Sequence, residues 1–461
     1  MGARSRQGCL PCRRRKKKCD EIKPICTACE RNCLGCDWPA LPLKQEPMKP
    51  REFSGTDELR FQSTSVSKSP IGLAHIPLSL SPLALSRPGS FGPQSQRLLY
   101  HYIEDTANKL VCLQDNDNPF LHMVVPAALD DDLLMHAILA LSGVHLMQRL
   151  PCSNYAVQCS TWFNYTRALK ILRVGLSDGF KDDSSVDSAL RALLIVLIFY
   201  MIEATLGSGR DAMKRHLEGS NYLMQHLLRS NPSCLQSSIG TFIAEIYVYH
   251  ACLGSFIVRC PDLKILQLNA RTPSPQYNTV GMLSGCAQEL FEFIPRVASL
   301  IRKSTERSTF ARHHRTNFSR EYCDLRSSIA IWKPNRADSD LAHCAELYQQ
   351  SLLILLDTHF ATESEQGSVQ RAFEHLKSLL SHLPPTSPVA TTATWPLFIF
   401  GVIAHEQSQK DLIREYMQSL VRVFGIGIMG TTLAYLERCW AMNCNLNIPD
   451  RFSSQGGMLI C

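Results

Sequence analysis

The chain has 461 residues, 45% apolar and 19% charged, so at ~150 residues per domain it holds two or three domains and is not disordered as a whole. Its formal charge of +7 is uneven: residues 1–36 carry ten Lys and Arg against three Asp and Glu, and the remaining 38 basic and 38 acidic residues cancel. Seven of the 19 cysteines fall in the same stretch, which puts thiols and positive charge together and excludes a small disulfide-stapled fold for the chain.

The first residues, Met1-Gly2-Ala3-Arg4-Ser5-Arg6, run into the cysteine-rich segment without an apolar stretch, and Arg6 breaks a myristoylation pattern. Neither a secretory signal nor a lipid anchor is expected. In a reducing compartment, clustered thiols read as metal ligands and scattered ones as small buried hydrophobes. Cys9, Cys12 and Cys19 repeat the spacing of Cys26, Cys29 and Cys36, each set being Cys-x2-Cys-x6-Cys. A structural Zn2+ takes four ligands in a tetrahedron. Two such ions need eight ligands where the two half-motifs offer six, so two sulfurs are shared, most simply one from each half. The expectation is a binuclear cluster with two Zn2+. A unit this short cannot build an apolar core, so metal binding is its folding energy. Cys33 offers a competing Cys29-x3-Cys33 pair; Cys36 is preferred because it repeats the first half, which leaves Cys33 a free thiol.

Between Cys12 and Cys19 lie Arg13, Arg14, Arg15, Lys16, Lys17 and Lys18. On a short helix clamped at both ends, such side chains point all round, some at phosphate and some into a groove. Arg and Lys read guanine edges in the major groove, and phosphate contacts fix the register. Sequence-specific binding to double-stranded DNA is expected, and nuclear import by the same run is the plainer reading.

The pattern Cys-x2-Cys-Arg-x3-Lys-x-Cys-Asp-x3-Pro-x-Cys-x2-Cys, ending in Cys36 with Trp38 close behind, resembles the DNA-binding module of fungal Zn2Cys6 binuclear cluster transcription factors. The resemblance implies that Cys9 and Cys26 bridge the metals, that Cys12 and Cys19 complete one site and Cys29 and Cys36 the other. It further implies that Arg15 and Lys16 read bases, Lys18 faces phosphate, Pro24 is the loop proline between the halves, and the half-site is of CGG type. Cys33 departs from the family pattern.

From Asp37 the composition turns to Pro and Ser, and Pro39, Pro42, Pro47, Pro50, Pro70, Pro77, Pro82, Pro88 and Pro93 forbid a continuous helix. This stretch reads as a flexible tether in which Leu78, Leu80, Leu83 and Leu85 are the local apolar cluster. No coiled coil fits there, so any dimer has to form through the region that follows.

From Ser95 onward apolar residues recur at three and four. Leu99, Tyr102, Ile103, Thr106 and Leu110 share one face, as do Val369, Phe373, Leu376, Leu380 and Leu383. Leu190 to Ile202 is apolar all round, which predicts a helix buried on every side; its longest apolar run, Ala192 to Ile202, covers about half of the ~20 residues a membrane span needs. Ser408 with Asp411 predicts a helix start ahead of Leu412, Tyr416, Leu420 and Phe424. Tyr247-Val248-Tyr249 is the best period-two candidate, and the fold class expected is a small metal-stabilised module followed by a large all-α domain.

Gly425-Ile426-Gly427-Ile428-Met429-Gly430 matches G-x-G-x-x-G with Asp450 beyond it, but it joins two helical patterns rather than a strand and a helix, so an interhelical turn is expected. His405-Glu406 lacks the second His of a zinc protease helix, His313-His314 has no acidic partner nearby, and Cys252, Cys260 and Cys286 have no ligand spacing. No catalytic residues are assigned. Leu98 to Tyr102, Asp117 to Phe120, Leu133 to His145 and Trp395 to Ile399 are similar to the fungal-specific transcription factor regulatory domain.

These readings divide the chain into residues 1–38 (zinc module), 39–93 (tether), 94–445 (helical regulatory domain) and 446–461 (tail). They describe a nuclear regulator of RNA polymerase II genes that engages co-regulators or the transcription machinery through its helices. One alternative makes the helical domain a small-molecule receptor, and a weaker one makes it an enzyme with a DNA-binding head.

Overall fold

The structure, a computed structural model, describes residues 8–21, 26–30, 92–113, 118–150, 154–177, 185–208, 210–256, 258, 281–285, 287–306, 315–334, 339–360 and 366–442. The chain divides into two compact units, Met1–Phe91 and Gly92–Cys461. Residues 39–91 of the proline-rich tether, the tail 446–461, His313, His314, Cys260 and Cys286 lie outside the described residues, and Pro93 opens the first helix of the second unit.

The first unit has two short helices, α1 (Leu10–Arg14) and α2 (Thr27–Glu30). Its buried core consists of Cys9, Cys12, Cys19, Cys26 and Cys29, with Ala28 packed against them. Pro11 is also buried.

The second unit is helical throughout its described residues, with no strand. Its first half comprises α3 (Pro93–His101), α4 (Ala107–Lys109), α5 (Val125–Asp130), α6 (Asp132–Arg149), α7 (Tyr155–Ser177), α8 (Ser185–Leu206), α9 (Arg210–Ser230) and α10 (Ser238–Leu253). The second comprises α11 (Gln288–Phe291), α12 (Phe293–Glu306), α13 (Arg315–Ile331), α14 (Ser339–Phe360), α15 (Gln366–His382), α16 (Thr394–Ile403), α17 (Gln407–Phe424) and α18 (Gly427–Ala441). Tyr247-Val248-Tyr249 is therefore helical, inside α10, where all three side chains are buried. Three residues of alternation do not outweigh an apolar segment long enough for a helix.

Two central helices explain the packing. α8 is buried along Ala192–Ile202 and packs on α6, α9, α10 and α18, while every residue of α16 is buried between α14, α17 and α18. The segments Asp187–Leu206 and Ser238–Phe256 are long and apolar enough by composition to cross a membrane, yet 89% and 78% of them are buried inside the unit. Aromatic rings link the halves: Tyr200 of α8 meets His250 at 4.7 Å, Tyr249 meets Phe291 at 5.3 Å, Phe291 meets Tyr348 at 5.1 Å, and Tyr348 stacks on Trp395 at 5.8 Å.

Helix ends follow local chemistry. Asp131 caps α6 by accepting the Leu133 and Leu134 amides at 2.8 and 3.1 Å. The start of α17 differs from the sequence expectation. The capping box is Glu406 with Gln409, not Ser408 with Asp411. Gln409 accepts the His405 and Glu406 amides and also donates to Gln370 of α15 at 3.3 Å, a tertiary contact that fixes the start two residues early. On the early face, Leu99, Tyr102 and Thr106 are buried but Ile103 and Leu110 only half so, because Tyr102–Thr106 forms a π turn that rotates the face. On the later face Phe373, Leu376, Leu380 and Leu383 are buried and Val369, in its first turn, is half-buried.

The glycine cluster is an interhelical turn. Gly425 ends α17 at φ 65°, where its amide donates to the Val421 carbonyl at 3.0 Å. A Cβ on Gly427 would lie 2.6 Å from backbone atoms of Leu206 and Gly207, so only glycine lets α18 approach the end of α8.

Two buried histidines make the unit acid-sensitive. Burial lowers His145 to about 4 and His250 to about 3, against ~6.5 in an unfolded chain. Their stabilising contribution is full above the unfolded value and is lost as pH falls through the window down to the folded values, because the unfolded chain binds the extra protons. Urea unfolding followed by far-UV circular dichroism is expected to show a falling midpoint across that window, with a shallower fall in His250→Phe. An unchanged pH slope in that variant would contradict the assignment.

Candidate metal centre and nucleic-acid interface

Each described half of the cysteine motif starts a helix directly after its first cysteine. Cys9 is the N-cap of α1 and accepts the Arg13 amide at 3.0 Å, with Pro11 in the first turn, where a missing N–H costs nothing. Cys26 precedes α2 and accepts the Cys29 amide at 2.9 Å. Asp20, the residue after Cys19, accepts the Thr27 amide at 3.0 Å, so one carboxylate ties the end of the first half to the first turn of the second.

The helix expected to carry all six basic residues is shorter than that. Arg13 and Arg14 are helical and Arg15 is the C-cap, but Lys16 adopts φ 53° and reverses the chain. The Lys16 amide donates to the Arg13 carbonyl at 3.1 Å and the Lys17 amide to the Cys12 carbonyl at 3.0 Å, the pairing that closes a helix through a left-handed residue. Glycine usually fills that position; a lysine there costs on the order of 1 kcal/mol. The reason for the turn is Cys19, whose thiol must come back to 3.8 Å from that of Cys9. All six side chains from Arg13 to Lys18 are exposed, the arginines on or at the end of the helix and the lysines in the turn after it.

The sulfurs form a close set. Cys9 lies 3.7 Å from Cys26 and 3.5 Å from Cys29, and Cys12 lies 3.5 Å from Cys26 and 3.9 Å from Cys29. The thiols of Cys9, Cys12, Cys19 and Cys26 all fall within 4.8 Å of one another. A tetrahedron with ~2.3 Å metal–sulfur bonds has sulfur–sulfur edges of ~3.8 Å, so the spacing suits a shared thiophilic cation. Burial pushes Cys12 up to about 12. At Cys26 burial acts in the same direction but is outweighed by hydrogen bonds from the Cys29 amide and the Cys12 thiol, which bring it down to about 6. Buried sulfurs pulled in opposite directions fit a site whose thiolates are stabilised together by a cation. Cys33, Cys36, Pro24 and Trp38 lie outside the described residues.

A second set of metal-type side chains, His101, Asp105 and His145, lies in the helical unit. Both ring nitrogens of His145 are already engaged: Nε2 donates to the Phe424 carbonyl at 2.9 Å, which leaves Nδ1 to accept from Thr106 Oγ1 at 3.0 Å. Arg149 donates to the Val423 carbonyl at 2.8 Å and lies 3.6 Å from Asp105. His145 and Arg149 thus cap the end of α17 against α6, a structural role that sequence separation hides. Of the scattered cysteines, Cys112, Cys252, Cys344 and Cys439 are buried, as expected for packing residues, whereas Cys323 is exposed.

Residues 97–450 match the fungal specific transcription factor domain, and residues 7–45 match the fungal Zn(2)-Cys(6) binuclear cluster domain. The zinc cluster transcription factor CZF1 of Candida albicans is 51% identical over 49 residues, covering 11% of this chain and 12% of the relative. Transcription factor FUP7 of Fusarium proliferatum is 41% identical over 64 residues, covering 14% and 25%. A longer match, 26% identical over 269 residues, is to the aspercryptin biosynthesis cluster-specific transcription regulator atnN of Emericella nidulans, covering 53% of this chain and 40% of the relative. The chain thus matches less than half the length of each of these relatives. No solved structure matches.

Chelation is expected to unfold the first unit and spare the second, since only the first has a core made of thiols. Amide dispersion of residues 8–30 should collapse on addition of EDTA while the helical far-UV signal persists. Dispersion that survives metal removal would show that the thiols pack unaided.

Proposed function

Because the chain belongs to the fungal-specific transcription factor domain family and carries a zinc-binding Zn2Cys6 domain ahead of that region, we propose that it is a sequence-specific DNA-binding regulator of RNA polymerase II genes, acting in the nucleus. The observation that carries this reading is the buried set of sulfurs at tetrahedral-edge separations beside six exposed cations. Cys9, Cys12, Cys19, Cys26, Cys29 and Cys36 hold two Zn2+, with Cys9 and Cys26 shared. The metal supplies the crosslink that the apolar side chains of this unit cannot.

The residues of the chain do the reading. Arg15 and Lys16, at the reversal where α1 ends, face base edges of a CGG-type half-site, and Lys18 faces phosphate together with Arg13, Arg14 and Lys17. Ending the helix at Lys16 presents successive cations in different directions, which a continuous helix would spread around its full circumference. The helical unit then engages co-regulators and supplies any dimer contact.

Metal analysis of the full chain is expected to give two zinc ions, and one per chain would overturn the shared-sulfur reading. Cys36→Ser should abolish folding of the first unit while Cys33→Ser leaves zinc content unchanged; the reverse result would reassign the sixth ligand. In DNA titrations, Lys16→Ala is expected to lose ~1–3 kcal/mol of discrimination between cognate and scrambled sites. Lys18→Ala should weaken both sites alike and lower the salt slope by about one. Equal effects of the two variants on both sites would reduce the basic run to an electrostatic footing.

A further inference from the structure

α7 packs along α6 and touches α3, and Val157, Thr161, Asn164, Ala168 and Leu172 form its buried side. A Cβ on Gly143 of α6 would collide with Thr161, so the two helices are in close contact and α7 is firmly held. The opposite side is bare. Of nine large apolar side chains exposed among the described residues, five lie on α7, and Tyr155, Trp162, Phe163 and Val174 share the side away from α6. An exposed apolar residue standing alone needs no explanation, but a cluster on one helix side marks a place where another molecule binds.

The two central rings are positioned from the buried side. Phe163, 58% exposed, stands edge to face with His136 at 6.1 Å, and His136 donates from Nδ1 to Asn164 Oδ1 at 2.7 Å. Trp162, 38% exposed, stands edge to face with Tyr165 at 5.8 Å, and Tyr165 donates to Glu203 of α8 at 2.8 Å. Rings fixed in advance lose little freedom when a partner covers them. Charge follows the rings along the same side. Arg167, Lys170 and Arg173 are exposed, none of the three forms an ion pair or a side-chain hydrogen bond among the described residues, and α7 contains no Asp or Glu. The next carboxylates in the chain, Asp178, Asp182 and Asp183, lie outside the described residues. The charge argument therefore rests on Arg167 and Lys170, about three and two turns before them.

We propose that this side of α7 is the surface through which the helical unit takes a partner protein, and that the partner presents an acidic amphipathic helix. Its apolar side chains cover Trp162 and Phe163, and its carboxylates meet Arg167 and Lys170. The proposal rests on the reading of the helical unit as one that engages co-regulators. Charge selects the occupant. A second copy of the chain would bring the same three cations, with no carboxylate on either helix, and like charges brought together disfavour the contact. Duplex DNA would answer the cations but lay a charged backbone over the aromatic half. An acidic helix with apolar side chains three and four apart satisfies both halves, and anchored aromatic rings beside arginine are the usual centre of a protein interface.

The test uses the full chain and three labelled synthetic peptides of about 18 residues, the helix length that spans Tyr155 to Arg173 at ~1.5 Å per residue. The first carries Leu and Phe on one side of its leading turns and Glu on the same side of the turns that follow. The second has Lys in place of Glu, and the third has Ser in place of Leu and Phe. Anisotropy is expected to show saturable binding of the first peptide alone, with a blue shift of tryptophan emission that Trp162→Phe removes. Binding should weaken ~tenfold or more in Phe163→Ser and in the Arg167→Glu, Lys170→Glu double variant. All four side chains are exposed, so each variant should keep its helical far-UV signal. No saturable binding of the first peptide, equal binding of either control, or equal binding by the variants would overturn the surface. So would a loss of DNA affinity in the double variant, which would assign the face to phosphate. A dimer in sedimentation that the same variants abolish would assign it to a second copy and also overturn the proposal. DNA binding by the unaltered chain separates the two ideas. A chain that binds DNA but not the first peptide loses only the α7 surface, and one that binds the peptide but no DNA keeps the surface and loses the regulator.

Discussion

Sulfurs buried against one another are held together by something that satisfies them jointly. Cys9, Cys12, Cys19, Cys26 and Cys29 form the buried core among the described residues of the first unit, and so short a segment gains little folding energy from apolar burial. Everything else there serves to bring those sulfurs together. Each half starts a helix at its first cysteine, Asp20 joins the halves at the first turn of α2, and Lys16 takes a left-handed conformation so that Cys19 can return to the cluster. The exposed cations are a consequence of the same geometry. A segment whose interior is filled by sulfur has to place Arg13 to Lys18 outside, and the reversal at Lys16 decides where they point.

The helical unit is stabilised by a different means, the burial of helices with apolar side chains on every face. From Ala192 to Ile202 α8, like the whole of α16, has no polar side to show to water, so these segments sit inside, with the amphipathic helices α9 and α17 packed on α8 and α16 in turn. The chain end is fastened back onto the beginning by polar groups. His145 and Arg149 of α6 receive the carbonyl end of α17, and Gly427 lets α18 lie against the end of α8. Those contacts join residues 279 positions apart at His145 and Phe424, so a local change at either end is felt by the whole bundle.

Local chemistry and spacing made the cysteine module, the helical class, the buried run Leu190 to Ile202 and the glycine turn at Gly425 legible in the sequence, because each depends on residues a few positions apart. Cys-x2-Cys-x6-Cys states its ligand geometry in its own spacing, and the eleven-residue apolar run Ala192 to Ile202 has only the interior to go to. Features that depend on distant partners were decided only by tertiary structure. Gln409 moved the start of α17 because Gln370 lies beside it, a π turn rotated the face that begins at Leu99, and Cys19 bent the basic run at Lys16. His145 and Arg149 met the carbonyl end of α17 as its cap. Periodicity records which face of an element is apolar; it carries no record of which element, hundreds of residues away, comes to rest against it.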